Sequence, residues 1–77
     1  MEKKLTFRYD QTGDILYIDM VPPYAEQDSE MLDDEVVARF NPKTGEIETL
    51  EILFFSKRLA DKKVLELPIE AKLRASA

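Results

Sequence analysis

Histidine, cysteine and tryptophan are absent from this 77-residue chain, and glycine occurs only twice. Without cysteine there is no disulfide and no zinc–thiolate staple. Without histidine there is no imidazole acid, base or metal ligand, so Ser-His-Asp and Cys-His triads are excluded. Two isolated glycines cannot supply a GxGxxG or GxxxxGK[ST] phosphate cradle. No apolar run approaches the ~18 residues of a membrane-spanning helix. Met1-Glu2-Lys3-Lys4 leads into no secretory apolar segment. The expectation is a cytoplasmic protein without membrane partners, cofactor or bound metal.

What is present is a repeated turn. Tyr9-Asp10-Gln11-Thr12-Gly13-Asp14-Ile15 returns as Phe40-Asn41-Pro42-Lys43-Thr44-Gly45-Glu46-Ile47, one residue longer before the Thr. Each copy holds one of the two glycines. Asp10 and Asn41 suit the first turn position, where a short polar side chain accepts from the backbone two residues on. Pro42 pre-sets φ for the next position. Gly13 and Gly45 are expected to take the positive φ that closes such a loop. Both copies therefore predict β-hairpins, with Asp10, Gly13, Asn41 and Gly45 as the structural turn residues.

The flanks agree. Leu5, Phe7 and Tyr9 alternate with Thr6, Arg8 and Asp10, a half-buried strand. Ile15 to Val21 is apolar on both faces, which predicts a strand that is central or buries its second face at an interface. Pro22-Pro23 ends it. Tyr24 to Asp34 is polar and stays open between a loop and a short edge strand over Ala25–Met31 that turns at Asp33-Asp34. Val36, Ala38 and Phe40 form one inner face. Ile47 to Phe55 predicts the second long strand, with Leu50, Ile52 and Phe54 on one face.

Ser56 to Lys62 suits a short helix with Ser56 as N-cap, stable only if packed on the sheet. In the tail, Leu65, Leu67, Ile69, Ala71 and Leu73 alternate with polar residues. The spacing predicts a strand over Val64–Leu67; Ile69–Arg74 stays open between strand and a helix starting at Pro68. Residues 1–77 make a single domain, α+β and mainly β: an antiparallel meander of two related hairpins, one short helix and a C-terminal strand.

The net charge is −5 and uneven. Through Phe55 there are five Lys/Arg against thirteen Asp/Glu; from Ser56 onward, six against three. The acidic part repels phosphate backbones, so no nucleic-acid partner is expected. Asp28, Glu30, Asp33 and Asp34, with the basic Lys57, Arg58, Lys62 and Lys63, form the candidate partner surface, the acidic run suiting a basic protein. The alternative for both groups is a solvated surface. So thin a core also favours a homodimer that hides surplus apolar surface. Asp10, Asp14 and Asp19 surround the first hairpin, although their spacing is not that of a calcium loop. Tyr17 shares a face with Asp19; a strand Tyr is commonly core with its hydroxyl at the rim.

Tyr9-Asp10, Asp14-Ile15-Leu16-Tyr17-Ile18, the acidic stretch, Val36-Val37-Ala38-Arg39-Phe40, Gly45-Glu46-Ile47 and Glu51-Ile52-Leu53 together resemble the prokaryotic family called domain of unknown function 2283. The resemblance runs from about Lys4 to Leu59. Leu50 stands where the family pattern has Gly, and Asp34-Glu35 replaces an acid-Gly turn. The resemblance implies a small β-rich fold and carries over no catalytic or ligand residue. Genes of such proteins often sit in small operons, some beside toxin-like genes, which implies a partner-binding role. Two readings follow: a non-enzymatic interaction module, antitoxin-like or an operon partner, and alternatively a small-ligand or cation-binding protein using the second sheet face and the hairpin carboxylates.

Overall fold

The structure, a computed structural model, describes residues 4–76; the leading Met1-Glu2-Lys3 lies outside them. Five strands and one helix follow in order: β1 Thr6–Asp10, β2 Ile15–Asp19, β3 Asp28–Asp33, β4 Val36–Phe40, β5 Ile47–Leu53 and α1 Phe55–Lys62. The strands form one antiparallel sheet in the order β1-β2-β5-β4-β3. β3, β4 and β5 are a meander. The β1–β2 hairpin joins it through β2 and β5, and residues 20–27 cross to the far edge. The open stretch after Pro23 resolves into loop followed by the edge strand β3, which starts later than Ala25 and runs past Met31.

Both repeats are hairpin turns, but they use glycine differently. Gly45 has φ +75°, as its turn requires, and a Cβ there would meet nothing within 4 Å. Gly13 does not have positive φ; Asp14, with φ 55°, takes the left-handed position instead. Asp tolerates that region better than most residues. Gly13 is needed for space, because a Cβ would come 2.9 Å from the Asp10 carboxylate. That carboxylate accepts from the Thr12 and Gly13 N–H groups at 3.1 and 3.2 Å. Asn41 Oδ1 accepts from Lys43 and Thr44 N–H at 2.8 and 3.1 Å in the same way.

The repeat extends well beyond the turns. Ile18 pairs with Leu50, flanked by Tyr17 with Glu51 and Asp19 with Thr49. Adding 31 before the turn and 32 after it carries the first hairpin onto the second. Arg8–Tyr17 becomes Arg39–Thr49, and Phe7–Ile18 becomes Ala38–Leu50; both are observed partners. An internal two-fold thus passes between Ile18 and Leu50. It ends at a bulge, where Phe40 pairs with Ile47 and Glu48 is the extra residue.

One face carries the core: Ile18, Ala38, Leu50 and Ile52 are buried, with Val36 fully covered. Burying each such branched side chain contributes about 1.5–3 kcal/mol. Phe55, Leu65, Leu67 and Ile69 pack against this face. The expected C-terminal strand does not form, nor does a helix at Pro68; among the described residues the tail after Lys63 has no regular structure. Its alternation has another cause. The tail turns Leu65, Leu67 and Ile69 onto the core face, while Ala71 and Leu73 beyond them are exposed; the Ile69 N–H bonds the Leu67 carbonyl at 2.8 Å around Pro68. An edge strand could not cover that face.

β5 also ends earlier than expected. Phe54 is left-handed, φ 53°, and half exposed rather than in line with Leu50 and Ile52. Ser56 is not the cap: Phe54 holds the N-cap position without a side-chain bond. The chain turns there because Asp14 supplies the cap from the first hairpin.

Gly45→Val should cost roughly 1–2 kcal/mol through backbone strain alone, and Gly45→Asn clearly less. Gly13→Ala should also lower the Tm, but combined with Asp10→Ala the losses should fall short of additive, because the new methyl strikes that very carboxylate. Thermal melts of the five variants decide both points; additive losses at positions 10 and 13 would refute the close-approach account.

Candidate functional site

The hairpin carboxylates go to separate tasks. Asp10 closes its own turn. Asp14 accepts from Tyr9 Oη at 2.5 Å, from Ser56 N–H at 3.0 Å and from Ser56 Oγ at 2.9 Å. Its carbonyl takes the Phe55 N–H at 3.0 Å. Tyr9 in turn packs edge-on against Phe55, ring centroids 5.9 Å apart. Those bonds, Tyr9 first and the Ser56 backbone second, hold the Asp14 pKa below the ordinary carboxylate value. Asp19 lies beyond, paired with Arg8. The three are not brought together, and no group of three or more acidic residues among the described residues is arranged to hold a metal ion.

The acidic run and the basic helix, separate in sequence, meet. Asp28, Glu30 and Asp33 lie along the exposed edge strand β3, and Asp34 sits in the β3–β4 turn. Arg58 on α1 donates to the Asp34 carbonyl at 2.8 Å and lies 3.9 Å from the Glu35 carboxylate. Asp33, Asp34, Arg58 and Lys62 border one cleft. Lys57 lies exposed in the first turn of α1, and Lys63 is the left-handed helix cap. Part of the expected docking surface is therefore spent inside the chain.

The second sheet face holds what sequence reasoning missed. Opposed residues share a face, giving the rows Arg8–Tyr17–Glu51–Val37 and Thr6–Asp19–Thr49–Arg39. The face expected to be apolar is polar at its centre. Arg8 Nε reaches diagonally to Asp19 at 2.5 Å, and Arg39 Nε reaches diagonally to Glu51 at 2.5 Å. The internal two-fold exchanges these two ion pairs. Asp19 and Glu51 are largely buried, their side chains 7% and 13% exposed. The Arg8 guanidinium lies over the Tyr17 ring, 4.4 Å from its centroid. A cleft beside Tyr17, Thr49 and Arg39 is walled by Pro23 and Tyr24. The signal was available: continuing the repeat past its turns aligns Arg8 with Arg39 and Asp19 with Glu51.

Glu48 holds that wall in place. Freed by the bulge, its carboxylate accepts from Tyr24 Oη at 2.6 Å, Gln27 Nε2 at 3.0 Å and Asn41 Nδ2 at 3.2 Å. Its carbonyl accepts from the Met20 N–H at 2.9 Å. The crossover loop is thereby tied to the second turn. The Tyr24 bond pulls the Glu48 pKa down and pushes the Tyr24 hydroxyl up to about 12.

These features define a small antiparallel β protein: two symmetry-related hairpins, an added edge strand, and a helix and tail on one face. The family model described as "Protein of unknown function (DUF2283)" matches residues 6–56, from the first residue of β1 into the start of α1. The chain belongs to that family, as the turn and strand strings implied. No curated protein and no solved structure matches it. Among the described residues no helix is long and apolar enough to cross a membrane.

Because the folded Asp14 and Glu48 values are depressed, their stabilisation is present above the unfolded carboxylate value and is lost as pH falls through the folded one. Asp14→Asn should therefore lower the Tm at neutral pH, and its deficit against wild type should shrink in acid. For Tyr24, raised above its unfolded value, the contribution is complete below pH 10 and disappears as pH rises towards about 12. Tyr24→Phe should lose stability at neutral pH and no longer show that alkaline step. Melts across pH test both; an Asp14→Asn deficit independent of pH would contradict the capping role.

Proposed function

We propose that this protein is a non-enzymatic interaction module and that it works as a homodimer joined along β1. The observation that carries this is the inequality of the two sheet edges. Every residue of β1 is exposed, Phe7 59% so, and Leu5, Phe7 and Tyr9 line one side of it. Its pairing with β2 is regular, without a bulge. An exposed, flat, apolar edge strand is a template for another strand. The opposite edge is built to refuse a copy of itself: β3 carries Asp28, Glu30 and Asp33 and a bulge between Met31 and Asp33. Two copies of β3 would set like charges against each other.

Antiparallel pairing of β1 about Arg8 places Phe7 opposite Tyr9 of the second copy on both sides of the axis, a favourable cross-strand aromatic pair. The two central arginines are each neutralised by their own Asp19. The sheets then run on as one layer, and the acidic β3 edges are left outward for a basic partner. The edge strand, not a surplus apolar face, supports the dimer, since the tail covers one face and ion pairs fill the centre of the other. The absence of His and Cys, and the structural use of Asp14, Asp19, Glu48 and Glu51, favour an interaction role over catalysis.

Sedimentation at micromolar concentration should give a dimer. Phe7→Lys should give a folded monomer with near wild-type melting once concentration effects are removed, because Phe7 is exposed in the single chain. Met31→Lys, at the other edge, should leave the dimer intact. A monomeric wild type, or dissociation by Met31→Lys but not by Phe7→Lys, would defeat the proposal.

A further inference from the structure

We propose that the cleft on the second sheet face, between Arg39, Thr49 and the crossover loop, binds a small aromatic carboxylate. Arg8 of β1 also lines this cleft, but the groups that would hold the ligand stand on β4, β5 and the crossover loop and do not depend on the dimer. The internal symmetry is broken at this cleft. Arg8 corresponds to Arg39, Asp19 to Glu51 and Tyr17 to Thr49. In the first hairpin the guanidinium has an aromatic ring beneath it, Tyr17 at 4.4 Å. In the second the ring is missing, because Thr49 stands in its place. The result is a cavity of about 370 Å³, bounded by Tyr17, Arg39 and Thr49 and by Pro23, Tyr24 and Ala25 of the loop. A flat aromatic body there would sit under Arg39 as Tyr17 sits under Arg8.

The second observation is the Thr49 hydroxyl. Thr49 is 1% exposed, and its Oγ1 has no hydrogen-bond partner among the described residues. A buried hydroxyl left unpaired costs stability, and Thr49 is among the residues that line the cavity. Turned about its Cα–Cβ bond towards the cavity, it would donate to a ligand carboxylate. Arg39, lying over the ring face and held to Glu51 through Nε, would balance the ligand's charge from above the ring. Charge sets the limit. Asp19 and Glu51 balance Arg8 and Arg39, so the patch is neutral as a whole and its two carboxylates repel a dianion. One negative charge on a flat apolar body is the chemistry that fits.

Titration of the intact protein with benzoate, followed by amide chemical shifts, tests this. Benzoate should saturate the shifts of Thr49, Arg39 and Tyr24. Cyclohexanecarboxylate, which is not flat, and benzyl alcohol, which is not charged, should each bind at least about threefold more weakly, the smallest loss expected from one hydrogen bond or stacking contact. Thr49→Val should weaken benzoate by about three- to tenfold, the loss of one hydrogen bond, with a Tm equal to wild type or higher because an unpaired group has gone. Arg39→Lys keeps a cation for Glu51 but loses the flat fork, and should weaken benzoate as well; it decides the matter if the Thr49 variant does not fold. Failure of benzoate to saturate, equal binding of all three probes, or full affinity in the folded variants would overturn the assignment.

Discussion

The antiparallel contact between β2 and β5 is the constraint on which the rest depends. Among the described residues it is the only strand pairing between the first hairpin and the three-stranded meander, and it places Ile18 against Leu50 at the centre of the sheet. Because both strands are the second arms of related hairpins, pairing them antiparallel generates a local two-fold axis. Everything on either face inherits it. On one face the axis collects Ile18, Ala38, Leu50 and Ile52 into a single core. On the other it sets two arginines, one from each outer arm, reaching inward to two carboxylates.

Around this frame the segments outside the sheet are attached by carboxylates. A chain this short has a thin core, and without cysteine it has no covalent staple. Asp14 fastens the helix to the first hairpin, and Glu48 fastens the crossover loop to the second turn. Both sit where the backbone departs from the regular ladder, Asp14 at a left-handed turn residue and Glu48 at a bulge. Those irregularities release each side chain from its alternating place and aim it at a neighbour. Three surfaces are left over: an apolar edge at β1, an acidic edge at β3, and a cleft where the symmetry lacks a ring.

Much of this was legible in the chain. The Asx–Thr–Gly repeat marked both hairpins, since few residues satisfy such turns. Strict alternation marked Leu65, Leu67 and Ile69 as facing a core, although not the means. Period two reports that alternate side chains share a side; it does not report whether the backbone bonds another strand or merely lies across a face. Gly13 is ambiguous in sequence for a similar reason, because both close approach and positive φ demand glycine, and here close approach is the cause. The polar second face was hidden because its ion pairs join residues 11 and 12 positions apart on different strands, and only register brings them together.

The sequence by itself determined the two turns, the strands beside them, the short helix and the chemistry that lacks the needed side chains, because each of these is settled by local conformation or by composition. Tertiary structure decided which strands became neighbours, where Asp14 and Glu48 found their donors, and which edge stayed bare. The reason is physical: a turn is closed by its own few residues, whereas a sheet edge, a distant cap or a cleft exists only once segments far apart in the chain have chosen their partners.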